Sequence, residues 1–581
     1  MKKILLTLTL LGSAYFAGAQ VICAGISPAP IAQNYLFTYA EPDGGWGVAD
    51  LTIPNTFVQD TLIAVDDLSG AAGNQGCNSS PVGAYAGKIA VVFRGSCQFG
   101  TKAKNAELAG AVGVIIINNT AAAPIPMAGG TDGGSVTVPT IMMTQADGNA
   151  LLAEMANGPV VMFIGNKTGF YQNDIGYQNG NVSFSKYSSV NKMTAQNASE
   201  YSFKVGGRLY NYGQAAQTNV VVNAKVTHAG STVYDNTTTP APIAIGDSID
   251  FMLPDFSLAT YPVGRYKLTY TTTMDNADEY AGDNTLSYEF IVSDTLFSYV
   301  KLDTVLNSPV TGNGSRPSGN YTSYKQCINY SDPNASRVGV AGIYFNFATN
   351  ASDSILLPGQ EFVVSVSRWD DVFTDLNDAA FTNAGSFNNV IELANGFYYY
   401  PNVTSEDSTV YAQFDNQVVL EDNKRYLFCV TPSENKIFFG MDDSYDYTWN
   451  LETYLQPINP LNVEGGTGAS PWSVAGFGSE TQPSIQVRMF PAAQLGIKEL
   501  NTIEGSAYPN PMKDNVTISV AESGNATVVV TDLAGKVVAT NNVVLVNGKA
   551  NVATDNLQSG MYIFNVALEN GKTAQFNVVK Q

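Results

Sequence analysis

Two kinds of hydrophobic pattern divide the chain. Unbroken apolar runs come first: Lys88 to Phe93 reads KIAVVF and Val112 to Ile117 reads VGVIII, as strands buried on both faces require. Between them Gly100 to Gly110, GTKAKNAELAG, is rich in Ala, Lys, Glu and Leu and bounded by glycines, which predicts a helix crossing back between parallel strands. Val138 to Met143 predicts a further strand, Thr144 with Asp147 three residues on predicts a helix start, and Pro159 to Ile164 returns as a strand. After about residue 167 the runs shorten and alternate. Tyr201 to Val205, Asn219 to Thr227, Ser248 to Leu253, Tyr266 to Thr271 and Ser287 to Val292 predict an immunoglobulin-like sandwich over 167–292. Gly342 to Phe347, Gln360 to Trp369, Thr409 to Leu420, Arg425 to Thr431 and Ser484 to Met489 predict a jelly-roll-like sandwich over 293–490. Asn515 to Val520, Thr527 to Asp532, Lys536 to Thr540 and Lys549 to Val552 predict a small β-sandwich over 497–581. The expected fold class is therefore mainly β and multidomain, with one α/β unit over 21–165.

Composition and charge narrow the function classes. The 581 residues are 45% apolar and only 14% charged, with a net charge of −21, which repels phosphate backbones and excludes nucleic acid as an expected partner. Lys2 and Lys3, the apolar run Ile4 to Leu11 and Ala17-Gly18-Ala19 form a signal peptide over 1–19, with cleavage leaving Gln20 first. No later apolar stretch reaches the roughly 20 residues of a membrane span, so no transmembrane segment is expected. Export makes disulfides available: Cys77 with Cys97 and Cys327 with Cys429 are expected to pair, each inside one predicted unit, leaving Cys23 over.

Candidate chemistry is sparse. His228 is the one histidine, so the two histidines of HExxH are missing, and His228 sits in VTHAGSTV, an alternating stretch ending in a turn. There is no CxxC, G-x-S-x-G or GxxxxGK[ST]. No catalytic residue, resident metal or other cofactor is expected. Asp275, Asp278 and Asp283, with Glu279, are candidate calcium ligands, although they lack the D-x-D-x-DG spacing of a calcium loop; the alternative is a solvated acidic turn. Tyr445, Tyr447 and Trp449 lie among Asp442, Asp443 and Asp446 in MDDSYDYTWN, and FYYY occupies Phe397 to Tyr400. Aromatic faces beside carboxylates suit a sugar or extended-peptide cleft; the same residues also suit a sandwich core. A glycosidase acid and base drawn from these carboxylates is the enzymatic alternative.

Two stretches carry family resemblances. GKIAVVFRGSCQFGTKAKNAELAGAVGVIIINN from Gly87 to Asn119, followed by VPTIMMTQADGNALLAEM from Val138 to Met155, resembles the protease-associated (PA) domain. The resemblance implies a lid or docking module without catalytic residues, with Arg94 and Phe99 as candidate groove residues; Arg94 equally suits a structural role in the turn. At the other end, Tyr508-Pro509-Asn510-Pro511, the D-x-x-G-K turn with Gly535, L-x-x-G-x-Y with Gly560 and Tyr562, and the closing F-x-V-x-K strongly resemble the type A C-terminal sorting domain of the type IX secretion system. That resemblance implies handling by the type IX machinery, removal of the domain after outer-membrane passage, and a released or surface-attached product. The middle units are similar to CARDB-like and jelly-roll modules of secreted proteins. Together these features predict an exported, non-catalytic protein that binds an extracellular protein or glycan. The alternative is an extracellular hydrolase with its catalytic unit in 293–490.

Overall fold

In the computed structural model residues 21–581 are described, apart from 70–72, 122–123, 318–320, 351–352, 354, 383–384, 402–407, 466–470, 495–502, 504 and 533–535. The signal peptide and Gly535 lie outside the described residues.

The apolar runs of the first third form the centre of a seven-stranded sheet. Phe57–Ala64, Ile89–Phe93, Gly113–Ile117 and Thr140–Met143 lie side by side in parallel, and antiparallel strands continue the sheet on both sides. Successive side chains point to opposite faces. Ala90, Val92, Val114, Ile116 and Met142 therefore join one core, while Ile89, Val91, Ile115, Ile117, Ile141 and Met143 join another. The helix Phe99–Leu108 covers the first face with Ala103 and Ala106, and the helix Gln145–Met155 covers the second with Leu151. Thr144 caps the latter as predicted, accepting the Asp147 N–H at 3.0 Å. Gly148 sits where that helix meets Ile117; a Cβ there would lie 2.4 Å from the isoleucine side chain. The helix can approach the strand only through a glycine.

The predicted boundary at 292/293 does not coincide with a break in packing. Thr285–Ser293 pairs in parallel with Ser189–Asn191, whose Ser189 also pairs with Ser298 of Leu296–Ser298, and that strand pairs with Gln486–Pro491. Strands on both sides of the boundary thus share one nine-stranded sheet. One hydrophobic core runs from Ile175 to Met489. A six-stranded sheet packs within the same body and includes Ser323–Ser331 and Arg425–Pro432 side by side. The region also contains a helix, Thr448–Tyr454, where only strands were expected.

The C-terminal region is a sandwich of two antiparallel sheets. Asn515–Val520 lies in the three-stranded one, and Gly524–Asp532 and Gly560–Leu568 lie in the four-stranded one. Val516, Ile518, Val528, Val530, Phe564 and Val566 alternate inward and are almost fully buried.

Candidate functional site

Both expected disulfides are present, Cys77–Cys97 and Cys327–Cys429. The second joins residues directly opposite each other on antiparallel strands. Cys23 is free and buried, and burial pushes its thiol far above the usual range, so it has the character of a core residue.

The expected binding residues divide. Arg94 donates from Nη1 to Asn118 Oδ1 at 3.0 Å and from its backbone N–H to the Ile117 carbonyl at 2.8 Å, which ties its turn to the neighbouring strand. Phe99 opens the first helix, half-buried against the core below it. Of the two readings for Tyr445 and Tyr447, open cleft and sandwich core, their burial fits the core: they are 4% and 0% accessible. Tyr445 accepts the Glu289 N–H at 2.7 Å, and Tyr447 donates to the Tyr299 carbonyl. Phe184 and Tyr447 meet edge to face at 4.7 Å. The reason is the helix Thr448–Tyr454, which turns this segment into the core. Trp449 is half-buried, with the Arg208 guanidinium 5.5 Å from its ring. The nearby carboxylates cap their own turns: Asp442 accepts from Ser444 and Asp446 from the Thr448 N–H.

The acidic stretch at 275–283 is likewise occupied by the protein itself. Asp275 accepts from Asn219, Asp278 from the Ile175 and Tyr280 N–H groups, and Glu279 from the Gln172 and Asn173 N–H groups. Asp283 is buried, and its Oδ2 lies 2.8 Å from Lys167 Nζ, which also lies 2.6 Å from Asp174 Oδ1. His228 is half-buried; its ring stacks on Tyr266 at 4.2 Å, and Nδ1 lies 3.1 Å from the Arg265 carbonyl.

In the C-terminal sandwich Tyr508, Pro509, Asn510 and Pro511 are exposed. Asn510 clamps the last strand, accepting the Val579 N–H at 2.9 Å and donating to the Asn577 carbonyl at 3.0 Å. Tyr562 is buried and donates to the Gln558 carbonyl at 2.9 Å. Gly560 starts the strand Gly560–Leu568 with an ordinary φ, and a Cβ there would touch only Tyr562, at 3.9 Å.

Sequence reasoning missed a cavity of about 410 Å³, within the range of small-ligand sites. It spans the predicted boundary. Lys186 and Tyr187 enter from the segment before Ser189–Asn191, and Tyr299 follows Leu296–Ser298. Arg425 opens Arg425–Pro432, and Tyr447 and Tyr454 come from the short helix and the residue that precedes it. The lining contains two cationic side chains and no carboxylate, in a chain of net charge −21. Arg425 is 7% accessible. Its Nε pairs with Asp371 and its Nη1 donates to Gln456 Oε1 at 2.6 Å, and neither bond uses Nη2. Lys186 makes no ion pair or hydrogen bond among the described residues; its Nζ stands 5.0 Å from the centre of the Tyr454 ring. Burial lowers its pKa, while the negative charges of Asp332 and Asp255 oppose the shift. Asn329, 3% accessible, leaves its Oδ1 without a hydrogen-bond partner among the described residues. No local spacing marks these residues, because they meet from segments more than two hundred positions apart.

A family model of the PA domain matches residues 58–151, and a model of the secretion system C-terminal sorting domain matches residues 506–580. Leucine aminopeptidase 2 of Arthroderma otae is 39% identical over 93 residues, which is 16% of this chain and 18% of that protein. Aminopeptidase YwaD of Bacillus subtilis is 45% identical over 65 residues, 11% of this chain and 14% of that protein. The aminopeptidase likeness falls on the PA region, and the chain spans less than a fifth of the length of these relatives. Among solved structures, BSAP, a zinc aminopeptidase from Bacillus subtilis, is 23% identical with a TM-score of 0.17, covering 25% of this chain and 32% of that one. No helix among the described residues is long and apolar enough to cross a membrane. The chain thus carries a PA domain and a type IX C-terminal sorting domain, and the second marks it as a protein that is secreted or attached at the outer surface.

Proposed function

We propose that the exported protein binds an extracellular ligand and does not cleave it, with the cavity between Lys186 and Arg425 as the binding site and the PA domain as a docking module. The observation that carries this reading is the lining of the cavity. It joins aromatic faces, cations and neutral hydrogen-bonding groups and contains neither a carboxylate nor an imidazole. Recognition needs no more than that, whereas glycoside hydrolysis ordinarily needs a pair of positioned carboxylates, and general acid–base catalysis most often uses an imidazole or a carboxyl group. Of the carboxylates Asp442, Asp443 and Asp446, from which a glycosidase acid and base could be drawn, Asp442 and Asp446 are bonded within their own turns.

The test is direct. Purified protein lacking 1–19 is incubated with aminoacyl anilides, casein and a panel of polysaccharides, and no turnover is expected. Hydrolysis that survives purification and is abolished by changing one Asp or Glu in 293–490 would establish the hydrolase instead. Export is tested separately: deleting Ala507 to Gln581 should leave a folded, signal-peptide-free protein in the periplasm, and its normal appearance at the surface would refute the role of the tail.

A further inference from the structure

We infer that the cavity takes an acidic sugar unit, a pyranose ring bearing a carboxylate, with the carboxylate held by Lys186 beside Arg425. The inference rests on the binding reading above and names the ligand class of the same site.

The charge argument comes first. An ammonium group removed from bulk water and left without an anion is costly, and the chain has 50 acidic residues against 29 basic ones. Even so, Lys186 makes no ion pair or hydrogen bond among the described residues: its Nζ stands 5.0 Å from the centre of the Tyr454 ring, and the charges of Asp332 and Asp255 act on it only from beyond ion-pair distance. Lys167, elsewhere in the chain, has two carboxylates within 2.8 Å. A cation left open in so acidic a protein, at the wall of a cavity whose lining has no carboxylate, is matched by an anion brought by the ligand. The guanidinium of Arg425 is already paired with Asp371 and lies over the Phe373 ring, so Lys186 supplies the unmatched charge; Arg425, whose Nη2 takes no part in its bonds to Asp371 and Gln456, adds a hydrogen-bond donor suited to a carboxylate.

The rest of the lining selects among carboxylates. Ile458 is the one aliphatic side chain there, so a peptide terminus would find almost no apolar subsite for its side chains. A ring dense in hydroxyls fits better. Tyr187, Tyr299 and Tyr454 offer aromatic faces on which the C–H face of a pyranose can rest. Asn329 Oδ1, buried and without a partner among the described residues, and the Ser331 hydroxyl in the same wall can bond to ring hydroxyls. A buried acceptor left unpaired costs about 1–3 kcal/mol, and a sugar hydroxyl would recover that loss.

Isothermal titration calorimetry of the chain without 1–19 is the experiment. The probes are D-glucuronate and N-acetylneuraminate, with D-glucose as the neutral sugar, acetate as the bare carboxylate, and a tripeptide with a free C-terminus. At least one sugar acid is expected to bind, with glucose and acetate at least tenfold weaker. Lys186→Gln is expected to weaken that binding at least tenfold with Tm unchanged, and Lys186→Arg to restore most of it. Equal binding of glucose would remove the carboxylate from the proposal. Binding of the tripeptide and of no sugar acid would overturn the sugar while leaving the binding reading intact, and so would silence of both sugar acids. Turnover of any probe would overturn the binding reading itself.

Discussion

Lys167 and Lys186 lie nineteen positions apart in the chain, and the structure treats them in opposite ways. Lys167, where the α/β unit passes into the sandwich body, is fully buried between Asp174 and Asp283, with its Nζ 4.2 Å and 4.3 Å from the ring centres of Tyr212 and Tyr280. Every side of its charge is matched. Lys186 meets one ring and a cavity. A buried cation with its full set of partners holds a structure together, and one without them is available to something else. The two positions therefore separate a structural charge from a ligand-binding one within the same chain, and substitution at each tests that separation.

The largest effect belongs to the junction. Lys167→Met strips the counter-charge from two buried carboxylates and is expected to cost about 3–5 kcal/mol, the usual penalty for breaking a buried pair, measured by chemical denaturation at pH 8. A loss under 1 kcal/mol would erase the contrast with Lys186. The pH dependence sharpens it. Burial raises Asp174 to about 7 and Asp283 to about 6, against the pull of Lys167. Carboxyl groups with raised folded values favour the fold while protonated, below about 4, and that contribution is lost as the pH rises through 6 to 7. Asp174→Asn leaves one ammonium facing one carboxylate. The stability difference between wild type and this variant should therefore shift against wild type between pH 4 and pH 8, and a flat difference would deny the raised values.

Lys102 is the intermediate case. It is fully buried in the α/β unit and donates to the Gln75 carbonyl at 2.6 Å, with the Cys77 Sγ at 3.6 Å, but has no carboxylate in contact. Burial lowers its pKa to about 8, partly opposed by Asp67. Lys102→Met should cost about 1 kcal/mol at pH 7, the net value of one hydrogen bond. A base depressed in the fold adds stability as the pH rises from its folded to its unfolded value. The gap between wild type and Lys102→Met should therefore widen from pH 8 towards pH 10.5, as thermal denaturation across that range would show.

The three lysines also show what the sequence made legible. The parallel strands were readable because KIAVVF and VGVIII are buried on both faces, and the motif order of the terminal sandwich was readable because its strands alternate cleanly. The disulfides followed from export and pairing within units. The ion cluster was not readable: Asp174 lies seven positions from Lys167, but Asp283 arrives only when strands more than a hundred positions away fold beside it. The continuity of sheet and core across 292/293 was hidden for a related reason, since Ser293 to Leu296 connects two strands of one sheet and so resembles a linker locally. Tyr445 and Tyr447 were ambiguous because aromatics beside carboxylates suit a cleft and a core equally. A seven-residue helix is too short to declare itself by periodicity, and it is the element that turned them inward. The cavity had no signal at all. Lys186 in SFSKYSS and Arg425 in DNKRYLF are unremarkable basic residues until the core brings them to one wall.

The smallest expected effect is at Lys186. If its ammonium had a hidden structural partner, removing the charge would orphan that partner and cost several kcal/mol, as at Lys167. With no ion pair among the described residues and a pKa lowered by burial, the charged amine is dehydrated with only the more distant charges of Asp332 and Asp255 to offset the cost. Lys186→Gln, which keeps most of the stem and removes the charge, should therefore change stability by no more than about 0.5 kcal/mol, the range of substitutions that break no specific contact. The same depressed value fixes a pH signature: wild type should gain on Lys186→Gln as the pH rises towards 10.5, because the unfolded lysine stays protonated after the folded one has lost its proton. Denaturation curves of both proteins at pH 7 and pH 10 decide the matter. A loss above 2 kcal/mol at pH 7 would make Lys186 a structural cation like Lys167 and take from the cavity its claim on an anionic ligand.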